Sequence, residues 1–397
     1  MKLRFPLLSG GTVSGLNDAG IETFEGDFAS NVVRECAQNS LDASVGHPVV
    51  VQITRYAIPP ADLPFIPQLR VVLNSCRGYW FESAKARKFF DIALLASSGS
   101  IDAIRISDSN TSGLDGSDTD RNGRWFGLVK SRGVSNKDDA QSDGSFGIGK
   151  DAPLAGSAFR SALYSTKNAD GSVAFQGVCR LVTHLNPDGK ETQGTGFIGD
   201  YDPAGPLFRA IREESAIPER FRRSARGLDV WVLGCRITED EWELPFIRSA
   251  LVNFWPAIHD GLIEFRIGEQ FVNAENLGRL MAAERGQREV ELEYPYYRSL
   301  VDGAAKRFEA NLPIVGTCRL HLLVGKRELP KKVRLVRATG MVIDLYAPRI
   351  GLLPFSGLFV CTDPNGNWLL RSLEPPGMIS GTDDVKARRE RSTRLQS

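Results

Sequence analysis

The sequence predicts an α+β chain in two unequal parts. Three observations carry that expectation. A helix-period segment near the amino terminus runs into a β-branched one, strand-like stretches recur at short intervals through the middle, and 397 residues exceed what one ordinary domain holds.

The first helix is expected over residues 28–43, where Val32, Val33, Cys36, Ala37, Ser40 and Ala43 supply an apolar or small face and neither Pro nor Gly interrupts. A strand follows at 48–54, a second helix at 83–95, and a strand at 103–107 that ends in polar residues. From 110 to 149 the chain is dominated by Gly, Ser, Asp and Asn without periodicity, and a loop of that length is a lid candidate. Strand-like stretches at 161–165, 173–182, 196–199 and 228–233 come next. Trp242, Phe246, Ile247, Leu251, Phe254 and Trp255 give residues 240–258 a helical period, and a hairpin fits 262–272. The expected division is 1–270, a smaller α+β domain at 271–382 with strands near 316–324 and 341–346, and a polar, basic, disordered tail at 383–397.

Composition excludes several classes. With 42% hydrophobic and 24% charged residues the chain is neither disordered nor fibrous, and a net charge of +1 gives no global attraction to nucleic acid or an anionic membrane. The six cysteines, at 36, 76, 179, 235, 318 and 361, form no C-x-x-C pair, so they read as buried hydrophobes in a reducing compartment. No run approaches the roughly 18 apolar residues of a membrane span, and the opening residues lack a secretory apolar region. A cytoplasmic protein without membrane partners is expected.

Three segments carry chemistry. On the first helix Glu35, Asn39 and Asp42 stand at i, i+4 and i+7 and share a face. Asn39 offers a neutral oxygen to Mg²⁺ and Glu35 can take a proton from an attacking water, although the same three residues would also serve as a solvated helix face. In the second segment Asp108 ends a strand and is followed by a small-residue turn through Asn110, Thr111 and Gly113. A buried carboxylate there accepts from an exocyclic amine, and glycine lets the backbone approach a flat ring; ordinary turn chemistry is the plainer reading. The third segment holds Gly144, Ser145, Gly147, Ile148, Gly149 and Lys150 ahead of an expected helix, so backbone N–H groups could face phosphate oxygens. It lacks the Walker A spacing, and a flexible glycine linker is the alternative.

Order and spacing together resemble the GHKL, or Bergerat-fold, ATPases, the group that includes gyrase B, the ninety-kilodalton heat-shock chaperones, sensor histidine kinases and MutL. Glu35, Asn39, Asp42 and Ala43 match that family's N-box, Asp108 and Gly113 approach its G1 box, and Gly144, Gly147 and Gly149 meet its G2 box. Two departures stand in the G1 box: Asn110 replaces the first glycine, and Gly113 comes one position late. The family's G-T motif has two candidates, Gly194-Thr195-Gly196 and Gly227-Leu228-Asp229, with Thr195 preferred.

The resemblance implies an α/β sandwich ATPase domain, followed by a transducer-like α+β domain. It implies ATP and Mg²⁺ as cofactors, Glu35 as general base, Asn39 as metal ligand, Asp108 as adenine reader, and Lys150 as a phosphate contact. Asp42, Gly113 and Thr195 join the nucleotide site. A basic residue among Lys326, Arg327, Lys331, Lys332, Arg334 and Arg337 would reach the γ-phosphate. The implied activity is slow ATP hydrolysis that closes a lid and drives homodimerisation. The MutL-like and MORC-like character further implies DNA or other subunits of an antiviral defence system as partners. A chaperone, or a non-catalytic nucleotide-gated module, is the alternative. A histidine kinase is disfavoured, because His47, His184, His259 and His321 include none on a helical hairpin ahead of the ATP domain.

Overall fold

Strand alternation decides the layers. On the third strand Ile104 and Ile106 join one core and Ile101 and Ala103 the other, and on the strand paired beside it Val230 and Val232 separate from Trp231 and Leu233 in the same way. A strand whose two sets of side chains are both apolar must be covered on both faces, and helices do so here.

The protein was studied as a computed structural model that describes residues 1–132, 149–201, 208–235, 237, 240–325, 329–348, 353–363 and 366–367. Its first part contains β1 (Lys2–Arg4), α1 (Ala19–Glu22), α2 (Phe28–Asp42), β2 (Val49–Ile58), α3 (Ile66–Tyr79), α4 (Ala84–Ala96) and β3 (Ile101–Ser109). Then come α5 (Ala152–Ala155), β4 (Ser157–Lys167), β5 (Val173–Arg180), β6 (Thr195–Tyr201), β7 (Phe208–Arg209), β8 (Gly227–Cys235), α6 (Glu243–His259), β9 (Ile263–Ile267) and β10 (Gln270–Val272). After α7 (Leu277–Ala283) and α8 (Arg288–Val301) follow β11 (Lys306–Leu312), β12 (Gly316–Val324), β13 (Lys332–Val336), β14 (Val342–Tyr346) and β15 (Phe355–Cys361).

Among the described residues the strands form two sheets. The larger runs β1-β6-β5-β4-β8-β3-β2-β9-β10, with β7 on β6, and is antiparallel except where β2 meets β9. The smaller runs β11-β12-β15-β13-β14, with β13 and β15 parallel. The fold is therefore α+β with mixed sheets, as the sequence predicts. No described helix is long and apolar enough to cross a membrane.

Helix α2 begins where Asp27 caps it, its side chain accepting from Ser30 N at 2.9 Å, and it buries Val32, Val33, Cys36, Ala37 and Leu41 against the sheet. Helix α6 lies in the same layer. The opposite face is covered by α3 and α4 through Leu69, Leu73, Cys76 and Phe90. Helix α3 escapes sequence reading because Pro67 and Gly78 interrupt its period, yet Pro67 sits in the first turn, where a missing N–H costs nothing.

The stretch expected to be one mobile loop is packed in its first half. Trp125 is fully buried and donates through Nε1 to Asp118 at 2.8 Å, and Phe126–Lys130 forms a short π-helical turn. A large apolar side chain in a polar segment was enough to anchor it. Residues 133–148, the tail at 383–397, and with it the lid expectation for those positions, lie outside the described residues.

The joint between the sheets is built around Trp255 on α6. Its ring meets Tyr297 of α8 edge-on at 5.9 Å, and its Nε1 donates to Glu293 at 3.3 Å, which in turn pairs with Arg334 of β13. Trp255→Ala should lower unfolding free energy by about 3–5 kcal/mol, read as a shift in the urea midpoint; a loss below 1 kcal/mol would contradict this account of the joint.

Candidate functional site

The site begins with a carboxylate that the fold buries. Position 108 is the last inward-facing residue of β3, on the side of Ile104 and Ile106, so its side chain points at α2. Asp108 is 6% exposed, and a carboxylate so placed needs donors. Its Oδ1 accepts from Thr111 Oγ1 and from Leu228 N, both at 2.7 Å. Its Oδ2 lies 2.9 Å from Ser40 Oγ, but that hydroxyl is also 2.9 Å from the Cys36 carbonyl and has one proton to give. Burial pushes the Asp108 pKa up, opposed by Thr111, Leu228, Arg223 and Ser40. Arg223 stands behind it, donating to the Asp108 carbonyl at 2.7 Å and pairing with Asp229.

The turn after Asp108 explains the two departures from the family pattern. Asn110 adopts φ +62° and its Nδ2 donates to the Pro48 carbonyl at 2.7 Å, so asparagine supplies the left-handed backbone that glycine would. Gly113 follows at φ +73°, where a Cβ would stand 2.6 Å from the Lys167 carbonyl. Neither residue lines the cleft. They shape the turn that brings Thr111 under Asp108.

Helix α2 delivers the second group. Asn39 is exposed and Glu35 half-buried on the helix surface that faces the cleft, whereas Asp42, one turn further, is half-buried outside the lining. The third group is Gly149-Lys150. A Cβ on Gly149 would overlap the Glu35 carboxylate, so glycine is what allows the two segments to touch. Gly144, Ser145, Gly147 and Ile148 lie outside the described residues. The helix expected after them is a single turn, α5, because Gly156 packs on the Phe28 ring and the chain enters β4 at once.

Glu35, Asn39, Asp108, Gly149 and Lys150 thus line one cleft of about 400 Å³ that opens to solvent. Its walls are Cys36, Ile106, Leu128, Pro153, Tyr164, Leu228 and Val230. Sequence reading gives Ile106, Leu128, Tyr164 and Val230 no place in the site, and it names Ser40, Thr111 and Leu228 without their role as donors to Asp108. Alternation along β3 and β8 was the available signal for Ile106, Leu228 and Val230; nothing local marks Leu128 or Tyr164, which arrive from separate elements.

Thr195 is not in this group. It opens β6, paired with Arg180 and three strands from β8, while Gly227-Leu228 lies against Asp108, with Gly227 at φ +134° and no room for a Cβ beside the Asp108 carbonyl. The preference for Thr195 is corrected accordingly: strand order, which spacing does not reveal, puts the other candidate next to β3. Among the described residues Lys331, Lys332, Arg334 and Arg337 do not line the cleft either. Lys326 and Arg327 lie outside the described residues, and Arg334 pairs with Glu293 over the Tyr296 ring, burial pulling its pKa down to about 10.

Lys150 is half-buried and donates through Nζ to the Gly127 carbonyl at 2.8 Å and to Ser131 Oγ at 3.1 Å. Burial lowers its pKa to about 8, helped by the cationic Arg180 and Arg132 and opposed by Asp151. Beside it Asp151 forms a buried ion pair with Arg180.

No protein-family profile and no curated protein matches the chain. Among solved structures, the ATPase domain of Aquifex aeolicus MutL, in a point-mutant form, aligns over 92% of this chain and 97% of its own, at 11% identity and a TM-score of 0.27. Nothing in the reading of the site rests on so loose a superposition.

Because the folded pKa of Lys150 lies below its ordinary 10.5, the unfolded chain holds more of this proton between about pH 8 and 10.5, and the group's contribution to stability rises with pH across that window. The stability difference between Lys150→Met and wild type should therefore move in favour of wild type as pH rises from 8 to 10.5, read from urea midpoints at each pH. A difference independent of pH would refute the burial of this ammonium.

Proposed function

We propose that the protein binds ATP with Mg²⁺ in this cleft and hydrolyses it slowly, as a switch. The observation that carries the reading is the convergence, from three separated segments, of a base, an amide oxygen, a buried acceptor and a glycine-lysine pair on one apolar-walled cleft.

The residues fit the ligands. Asp108 Oδ2 has lone-pair capacity beyond the shared Ser40 proton, which suits the exocyclic amine of adenine, and Ile106, Leu228 and Val230 suit a flat ring. Among the described residues no group of three or more His, Cys, Asp or Glu could hold a metal. That favours Mg²⁺ over a cation needing an all-protein cage, because Mg²⁺ binds through few protein ligands and the substrate's phosphates. Asn39 Oδ1 would hold it. Bound there, the ion supplies neutralisation of phosphate charge.

The protein's own work is then limited. Glu35 takes the proton of a water as its oxygen attacks the γ-phosphorus, and the bond to the departing ADP oxygen breaks. Gly149 keeps the flap backbone against that carboxylate, and Lys150 brings positive charge to the cleft. Switching requires that nucleotide bind a closed, dimeric state better than an open one. The resemblance to MutL-like and MORC-like proteins supports a DNA-directed or antiviral setting, which stimulation of turnover by duplex DNA would test.

Glu35→Ala should leave MgATP affinity within a few-fold while lowering turnover roughly a hundred- to ten-thousand-fold, measured by calorimetry and phosphate release. Unchanged turnover would sink the assigned base; absence of MgATP affinity in the wild type would sink the whole reading. In Gly149→Ala the new methyl displaces the flexible end of Glu35, not backbone, so the thermal midpoint should hardly move while turnover falls at least tenfold. Equal turnover in that variant would show that Glu35 acts without the contact.

A further inference from the structure

The second sheet presents an edge that suits itself. Among the described residues strand β11 is terminal in that sheet, and all seven of its residues, Lys306–Leu312, are exposed. An edge of this kind carries a row of backbone donors and acceptors open to another strand. Lys306, Phe308, Ala310 and Leu312 lie on one face and Arg307, Glu309 and Asn311 on the other. Helix α8 packs on the sheet side of the second of these faces at β12 and β15, with Ser299 Oγ 2.7 Å from Ser356 Oγ on β15. Across the first face runs an apolar row: Phe308 stands opposite Leu320, Leu320 opposite Phe359, and Phe359 opposite Leu335. The row ends in solvent at Phe308, which is 50% exposed.

We propose that β11 pairs antiparallel with β11 of a second copy of this chain, about a two-fold axis through Phe308. Charge complementarity selects both the occupant and the register. A two-fold that pairs identical antiparallel strands stands perpendicular to the sheet, so facing residues share a face and the axis passes through a residue position. On Arg307 or Glu309 the axis would set like charge against like, and on Ala310 it would pair no charges. On Phe308 it sets Arg307 against the partner's Glu309 and Glu309 against the partner's Arg307, with Lys306 facing the partner's Ala310. Phe308 meets the partner's Phe308, and the apolar row becomes continuous across the two sheets. Basic residues on an edge ordinarily discourage pairing; here the acid two positions along cancels that effect for one partner, the chain itself. This contact involves no residue of the nucleotide cleft and needs no nucleotide.

The test is sedimentation equilibrium of the full chain, without nucleotide, across a concentration series. Wild type should show a reversible monomer–dimer equilibrium. Arg307→Glu alone sets acid against acid, and Glu309→Arg alone sets base against base, twice per dimer by symmetry. Each should weaken the dimer by about tenfold or more. The double variant should regain wild-type affinity, and an equimolar mixture of the two single variants should dimerise more tightly than either alone. A wild type that stays monomeric, single variants that dimerise as wild type does, or a mixture that fails to associate would each overturn the proposal. The altered positions are exposed, and unchanged circular dichroism verifies folding. Because ATP turnover is assayed separately on the same samples, failure here and failure of the nucleotide reading are distinguishable.

Discussion

The structure around the cleft depends on satisfying one buried carboxylate. Asp108 cannot remain at the sheet-helix boundary without donors, and those it has come from three places distant in sequence: the hydroxyl of Ser40 on α2, the hydroxyl of Thr111 in its own turn, and the backbone of Leu228 on β8. Holding that group in place therefore holds the helix, the turn and the strand in register with one another. The capacity left on its outer oxygen is what the proposed adenine contact would use.

A second constraint acts where residues 149–151 meet the cleft. Gly149, Lys150 and Asp151 are successive residues with three different tasks: backbone contact with Glu35, a partly buried ammonium bonded to the 126–131 turn, and a buried ion pair with Arg180. Burial raises the Asp151 pKa and lowers that of Lys150, so both charges are held against their solvation preference. Such a segment stores a bias that a phosphate group could relieve, since an anion near Lys150 favours its protonated form. Asp108 and Lys150 thus line the same cleft with pKa values displaced in opposite directions.

Much of this was legible. The 28–43 helix and its inward face follow from periodicity, and the structure sets α2 at Phe28–Asp42, with the Asp27 cap visible only there. The strands on either side of Asp108 and the hairpin β9-β10 were legible for the same reason, because alternation and turn residues are local signals. Helix α3 was not, since Pro and Gly obscure its period, and neither was the packing of Trp125, where a single long-range contact overrides a loop-like composition. Strand β13 reads as part of a basic run because Lys332 and Arg334 lie in it and Lys331 and Arg337 flank it, whereas its backbone pairs with β14 and β15.

The sequence by itself determined which residue types could do chemistry and in what order they occur: Glu35 and Asn39 four apart on a helix, Asp108 at a strand end, and glycines ahead of Lys150. Those are consequences of helix pitch, strand period and turn stereochemistry, all of them short-range. Only the tertiary structure decided which of them meet. Strand order placed Leu228 beside Asp108 and kept Thr195 three strands away, and the left-handed backbone at Asn110 made asparagine do a glycine's work. Adjacency in a sheet is chosen by burial of whole faces across the domain, and that balance is written in no single segment.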